Sequence, residues 1–260
     1  MWESRYTNGD NQLYPSLVKE LVDLRVDAIL ASGDVAAVAA FNATRSIPIV
    51  IAASAPVELG LAKSLASPGG NLTGVVYQSL DYSGKELDLI RAIQPGLKLM
   101  GLVVGDNVVG RAWYAGWQAA ADRTGVTLVK LPRPARVIDI EATLVAARRE
   151  RVQAIQFGLH HGMRGAGWQQ ITAWAISNKV LTASAEYARG EAAVAFGANT
   201  LSFLAQMADQ LDRVLRGANP AQTPIQQPIV FDLIINRKII RAMGLTVPQS
   251  VLVQATEVID

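Results

Sequence analysis

The chain has 260 residues, of which 50% are hydrophobic and 18% charged, with a formal net charge of +2 and no cysteine. This balance excludes a disordered chain, and the lack of any dense Lys or Arg run excludes a nucleic-acid footprint. The absence of cysteine excludes a disulfide framework and Cys-ligated metal sites, while the length allows one large domain or two.

Residues 1–16 (MWESRYTNGDNQLYPS) are polar and lack the basic start and apolar core of an export signal. No stretch reaches the roughly 18 apolar residues of a membrane span. The sequence therefore reads as a soluble chain without an export signal. Leu17, Leu21 and Leu24 predict an amphipathic helix, followed by an apolar strand over 27–32 (DAILAS) that ends at Gly33. An Ala-rich helix over 34–44, a strand over 48–53 (PIVIAA), a helix over 57–66 and a strand over 72–76 complete a first block.

The alternation then repeats. Helices are expected over 83–94, 109–123, 138–150 and 166–178, and strands over 99–104, 126–131, 152–158 and 180–185. Strands apolar throughout and separated by long helices imply parallel sheets covered on both faces, so the two blocks imply two doubly wound α/β lobes. After a strand over 192–197 and a helix over 200–216, the Pro-punctuated stretch 219–228 is expected to run between lobes. A strand over 229–235 and a helix over 236–243 follow. Two lobes crossed several times by the chain form a hinge around a cleft.

SPGGNLTG, residues 67–74, admits three readings: a phosphate-cradling loop, a glycan acceptor or an architectural turn. A phosphate loop needs its glycines after a strand and before a helix. Here the order is reversed, so Pro68-Gly69-Gly70 reads as a turn into a strand.

Ligands of open parallel sheets sit beyond the carboxyl ends of the strands. That rule selects Ser32, Gly33, Asp34, Ser54, Pro56 and Gln78 in the first block, and Asp106, Asn107, His160, Glu186 and Tyr187 in the second. Asp34 and Ser54 are equally placed as helix N-caps, and Asp106 and Asn107 as turn formers. His160 and His161 are the only histidines and have no carboxylate at ligand spacing, which favours loop placement or polar contact over metal or proton chemistry. Trp113, Tyr114 and Trp117 share one helix and read as packing or as the floor of a pocket. No nucleophile elbow, Walker loop, zinc-protease helix or dinucleotide fingerprint is present, which weighs against an enzyme.

Together, SPGGNLTG, SGKELDLI, DAILASGDVAAVAAFNATRSIPIV and the closing QQPIVFDLIINRKIIRAMGLTVPQSVL resemble the ABC transporter substrate-binding proteins. The resemblance is to the group whose characterised members bind aromatic amino acids and similar small molecules, and it covers essentially the whole chain. It implies a type I periplasmic binding fold with three hinge crossings, divided as 1–78 plus 198–227 and 79–197 plus 228–260. Gly69 and Gly70 are then backbone residues and not ligand contacts. The implied function is a non-enzymatic solute receptor of an ABC-type importer. It takes a small carboxylate-bearing molecule, such as an amino acid, in the inter-lobe cleft.

The same resemblance implies no cofactor, a membrane permease as partner, a monomer, and a location in the periplasm or lipid-anchored outside the inner membrane. Family members have an export signal, a strand and a helix ahead of the position matching Met1, so the central strand of the first lobe is expected to be missing. Without a signal the chain is cytoplasmic if that start is real. Where the family has Asp before Pro-Val this sequence has Ala55, and where it has Tyr-Gly this sequence has Phe196-Gly197. The rival readings are the effector domain of a transcription regulator, which normally follows a helix-turn-helix, and a truncated receptor without function.

Overall fold

The computed structural model describes residues 1–8, 10–76, 82–134, 140–158, 165–185, 188 and 190–260. The chain divides into two compact units, Met1–Ser79 with Asn199–Val230 and Leu80–Ala198 with Phe231–Asp260.

Unit 1 contains α1 (Tyr14–Asp23), β1 (Ile29–Ser32), α2 (Asp34–Ala43), β2 (Ile49–Ala53) and β3 (Leu72–Val76). Its sheet is parallel, in the order β1-β2-β3. All five residues of β2 and of β3 are buried, as continuous apolar runs require when helices cover both faces. One face carries α1 and α2, through Val18, Ala36, Ala37 and Ala40.

The side of α1 packed into that core is Tyr14, Val18 and Val22, at i, i+4 and i+8. The expected stripe of Leu17, Leu21 and Leu24 is turned from it: Leu17 and Leu21 are half-exposed and Leu24 lies outside the helix, exposed. The expected helix over 57–66 is a single turn. Gly60 takes φ +70°, Gly60 N–H donates to Val57 O, and Leu61 N–H donates back to Pro56 O at 2.9 Å. This left-handed closure stops a helix after one turn.

The later helix α7 (Thr200–Leu215) returns to unit 1. Asn199 caps it by accepting from Ser202 N–H at 2.9 Å, and Met207 packs on Ala52 and Val75. The stretch 219–228 belongs to unit 1 and is not a connector between units. It runs along β3, with Gln226 N–H donating to Gly74 O and Val76 N–H to Gln226 O, both at 2.9 Å. The Thr73 hydroxyl also donates to Thr223 O at 2.8 Å. Satisfying the outer edge of β3 is what draws this polar segment in.

Unit 2 contains α3 (Ser83–Ile93), β4 (Leu99–Val103), α4 (Val108–Asp122), β5 (Thr127–Leu131), α5 (Ile140–Glu150), β6 (Ala154–Phe157), α6 (Ala166–Asn178), β7 (Leu181–Ser184) and β8 (Val194–Ala198). After α7 it is completed by β9 (Phe231–Asn236), α8 (Arg237–Ala242), α9 (Gln249–Leu252) and β10 (Glu257–Ile259). Among the described residues, seven strands run in the order β10-β9-β8-β7-β6-β4-β5. All neighbours are parallel except β8 and β9, which pair antiparallel. Two apolar clusters cover its two faces: α3, α4 and α8 on one, α5 and α6 on the other.

Candidate functional site

The carboxyl ends of the strands gather polar groups in each unit, and each set is shaped by its own local chemistry. In unit 1, Gly33 occupies the N-cap position of α2 with φ +97°, a conformation that suits glycine. Asp34 is therefore the first helical residue and not the N-cap. Its carboxylate reaches 20 residues along the chain: one oxygen accepts from Ser54 N–H at 2.8 Å and the other from the Ser54 hydroxyl. Ser54 caps no helix, because none follows it. The pair fastens the loop after β1 to the loop after β2, with Ser54 buried and Ser32 exposed beside them. Pro56 is buried, and its carbonyl closes the turn ended by Gly60.

In unit 2, Asn107 is the N-cap of α4, accepting from Gly110 N–H at 2.7 Å. Asp106 is exposed next to it, and its backbone carbonyl accepts from the Arg111 guanidinium. Gln78, His160, Glu186 and Tyr187 lie outside the described residues, as does His161. Trp113 and Trp117 pack edge to face with centroids 5.7 Å apart inside the core, and Lys130 sits over the Tyr114 ring. This trio is packing.

Two groupings at the same end of the unit 2 sheet are not marked by the carboxyl-end rule. Tyr82, Phe196 and Phe231 are all half-buried and form an aromatic cluster: Tyr82 lies 4.5 Å from Phe231 and 6.5 Å from Phe196, and the two phenylalanines stack at 5.8 Å. Each of the three stands within three residues of a unit boundary. The second grouping is Glu86 in the first turn of α3, which accepts a hydrogen bond from the side-chain amide of Gln156 in β6. Both are buried, and burial pushes the Glu86 carboxyl well above the usual carboxylate range. Among the described residues Gln156 Oε1 has no hydrogen-bond partner. A protonated Glu86 can donate to it, which would close a neutral two-bond pair. The sequence holds a signal for this pair: Glu86 heads the stripe Leu89, Ile90, Ile93 at i, i+3, i+4 and i+7, and Gln156 interrupts the apolar AIQF.

Among the described residues no group of three or more His, Cys, Asp or Glu side chains is placed to hold a metal ion. Among them, too, no helix is long and apolar enough to cross a membrane.

Residues 1–259 match the family model for ABC transporter substrate binding proteins. A tyrosine-binding protein of Clostridioides difficile (strain R20291) is 40% identical over 108 residues, a match spanning 40% of this chain and 30% of that protein. Among solved structures, an ABC domain in complex with L-Trp from Streptococcus pneumoniae superposes with a TM-score of 0.86 at 26% identity, covering 96% of this chain and 85% of that one. A conserved domain protein from Vibrio cholerae superposes with a TM-score of 0.88 at 23% identity, covering 99% and 87%. The second likeness is one of fold. The architecture is that of the type I periplasmic binding proteins: two parallel-sheet α/β units, each assembled from separate stretches of chain. With the match running from residue 1 to residue 259, the chain belongs to the family of ABC transporter substrate binding proteins.

Proposed function

We propose that this chain is the solute receptor of an ABC-type importer, that its ligand is an aromatic amino acid, and that it presents that ligand to a membrane permease from outside the inner membrane. The observation that carries the ligand class is the pairing of two relatives: one structure holds L-Trp and one protein is named for binding tyrosine. The cluster of Tyr82, Phe196 and Phe231 supports the reading, because half-buried rings beside the carboxyl end of β8 suit a ligand ring. The expected loop residues, Ser32, Asp106 and Asn107 among them, supply polar contacts in this reading. Asp34 holds the two loops of unit 1 in place.

Magnitudes favour an aromatic ligand. Micromolar affinity requires about −8 kcal/mol, whereas a helix N-terminus facing a carboxylate contributes only about 0.3–1 kcal/mol. Burying an aromatic side chain of about 150–250 Å² contributes roughly 4–6 kcal/mol. Helix ends therefore orient the ligand and ring burial holds it. Burial that holds the Glu86 carboxyl well above the usual range fits this scheme, since it disfavours a negative charge in the first turn of α3 that would repel a carboxylate.

Titration calorimetry with L-Trp, L-Tyr and L-Phe tests the proposal. Micromolar binding of at least one is expected, weakened about tenfold in Phe231→Ala. Binding of a sugar or a simple benzoate with no heat from any aromatic amino acid would overturn it.

A further inference from the structure

The amino ends of β4, β6 and β7, opposite the strand ends that carry the candidate site of unit 2, gather positive charge from separate stretches of chain. Lys98 precedes β4, Arg151 precedes β6 and Lys179 precedes β7, three neighbouring strands about 4.8 Å apart. Gln153 ties the three lead-ins together: its Oε1 accepts from Lys98 N–H at 2.7 Å and its backbone carbonyl from Leu181 N–H at 3.0 Å. Arg148 and Arg149 join them from the last turn of α5. All five cations are exposed. The acidic residue in these stretches is Glu150, which pairs with Arg149 at 2.7 Å. Among the described residues no ion pair engages Lys98, Arg148, Arg151 or Lys179. Five cations against Glu150 leave +4 on this face, whereas the whole chain carries +2, so the other residues sum to −2.

A cation in the last turn of a helix offsets the helix dipole, which accounts for Arg148 and Arg149. It does not account for the others. Lys98 stands five residues beyond the end of α3 at Ile93. Arg151 and Lys179 take φ +56° and +55°, the left-handed conformation that glycine adopts without steric cost, and α4 and α8 do close on Gly125 and Gly244 in that conformation. Two helix ends therefore carry a charge where glycine would fit with less strain.

We propose that this face docks on a bilayer surface bearing anionic phospholipid headgroups. The choice of partner rests on the receptor reading in one respect, since a receptor working outside the inner membrane meets that surface constantly. Clusters of about four to eight Lys or Arg are the size that anionic membranes retain, each cation near the surface adding about fivefold in affinity. Their long stems let the charged heads reach the headgroups beyond the helix carbonyls. Charges spread over three strand ends and a helix fit a planar array of phosphates. A nucleic-acid site would instead offer helix N-termini or stacking rings along one strand, and here the helices present their C-termini. Docked in this way, unit 2 turns the carboxyl ends of β4, β6 and β7 away from the bilayer.

Co-sedimentation of the full chain with lipid vesicles tests the proposal. Retention on mixed phosphatidylglycerol and phosphatidylcholine vesicles is expected, with none on phosphatidylcholine alone, and it should fall at least tenfold as ionic strength rises from about 0.05 M to about 0.5 M. Arg148→Gln with Arg149→Gln should weaken retention about 25-fold. Arg151→Gly with Lys179→Gly should weaken it as much while keeping or raising the melting temperature, because glycine suits both conformations, so loss of fold cannot mimic the effect. Equal retention on neutral vesicles, undiminished retention in both double variants, or no retention on anionic vesicles would overturn the proposal. Tighter binding to double-stranded DNA than to the anionic vesicles would assign the face to nucleic acid and also overturn it. Calorimetry with L-Trp on the same samples separates the two readings. Vesicle retention without heat from L-Trp leaves this surface standing, and heat without retention leaves the ligand reading standing alone.

Discussion

The two units are built from one pattern of apolar strands and covering helices, yet they close to different degrees. Unit 2 spreads seven strands between two large apolar clusters, with buried Trp117, Trp168 and Phe157 among its anchors. Among the described residues, unit 1 has three strands, one substantial cluster, and on its other face Ala52, Val75 and Met207 with Phe203. Its β1 alternates buried and exposed residues where β2 and β3 are buried throughout. Closure depends on how many neighbours each strand finds. The pattern alone does not secure it.

The largest expected effect tests that contrast directly. Amides in 28–32 and 49–53 should exchange about 100-fold faster than those in 99–104 and 152–158, because edge strands and thin cores open first. Similar protection in the two sets would mean that unit 1 closes as tightly as unit 2. Next comes Asp34→Ala, which removes both bonds to Ser54 and leaves its buried hydroxyl unpaired. A loss of about 2 kcal/mol is expected. It should fall on unit 1, so fluorescence dominated by Trp113, Trp117, Trp168 and Trp174 of unit 2 should report an unchanged second transition in urea.

The smallest effect concerns Glu86. Its folded-state value is raised by burial, so its contribution is fully present below the unfolded value of about 4.3 and is lost as pH rises through the folded one. The slope cannot exceed about 1.4 kcal/mol per pH unit for one group. Glu86→Gln keeps the bond to Gln156 and removes the proton, and it should flatten the pH dependence of the unit 2 transition above pH 5. An unchanged slope in the variant would place the titrating group elsewhere.

How much of this was legible in the sequence varies with how local the causes are. DAILAS, PIVIAA and VQAIQFG are apolar runs that can be little else, and β1, β2 and β6 fall within them. The 57–66 segment has helical spacing, but Gly60 takes a left-handed conformation that periodicity does not register. Residues 219–228 have no periodicity because their partner is the edge of β3, some 150 residues earlier. The short α9 and β10 carry too few residues to show a pattern, and the antiparallel pairing of β8 with β9 is fixed by the chain returning from unit 1. For the site, the carboxyl-end rule marked Ser32, Asp34, Ser54 and Asn107 from local sequence, whereas the bond between Asp34 and Ser54 joins two loops 20 residues apart and belongs to no motif. It passed over Glu86 and Gln156, since a buried pair 70 residues apart belongs to no single motif.

The bond from Thr73 to Thr223 also sets a timetable. Ribosomes add about 5–20 residues per second, so the 150 residues between these two take roughly 8–30 s to be made. During that interval β3 has left the ribosome without the segment that pairs with its outer edge, while β4 to β7 and their helices are already available to each other. Unit 1 is thus begun early and finished late. A nascent chain of this kind gains from a chaperone that covers strand edges, and codons that slow synthesis between 80 and 198 would lengthen its exposure.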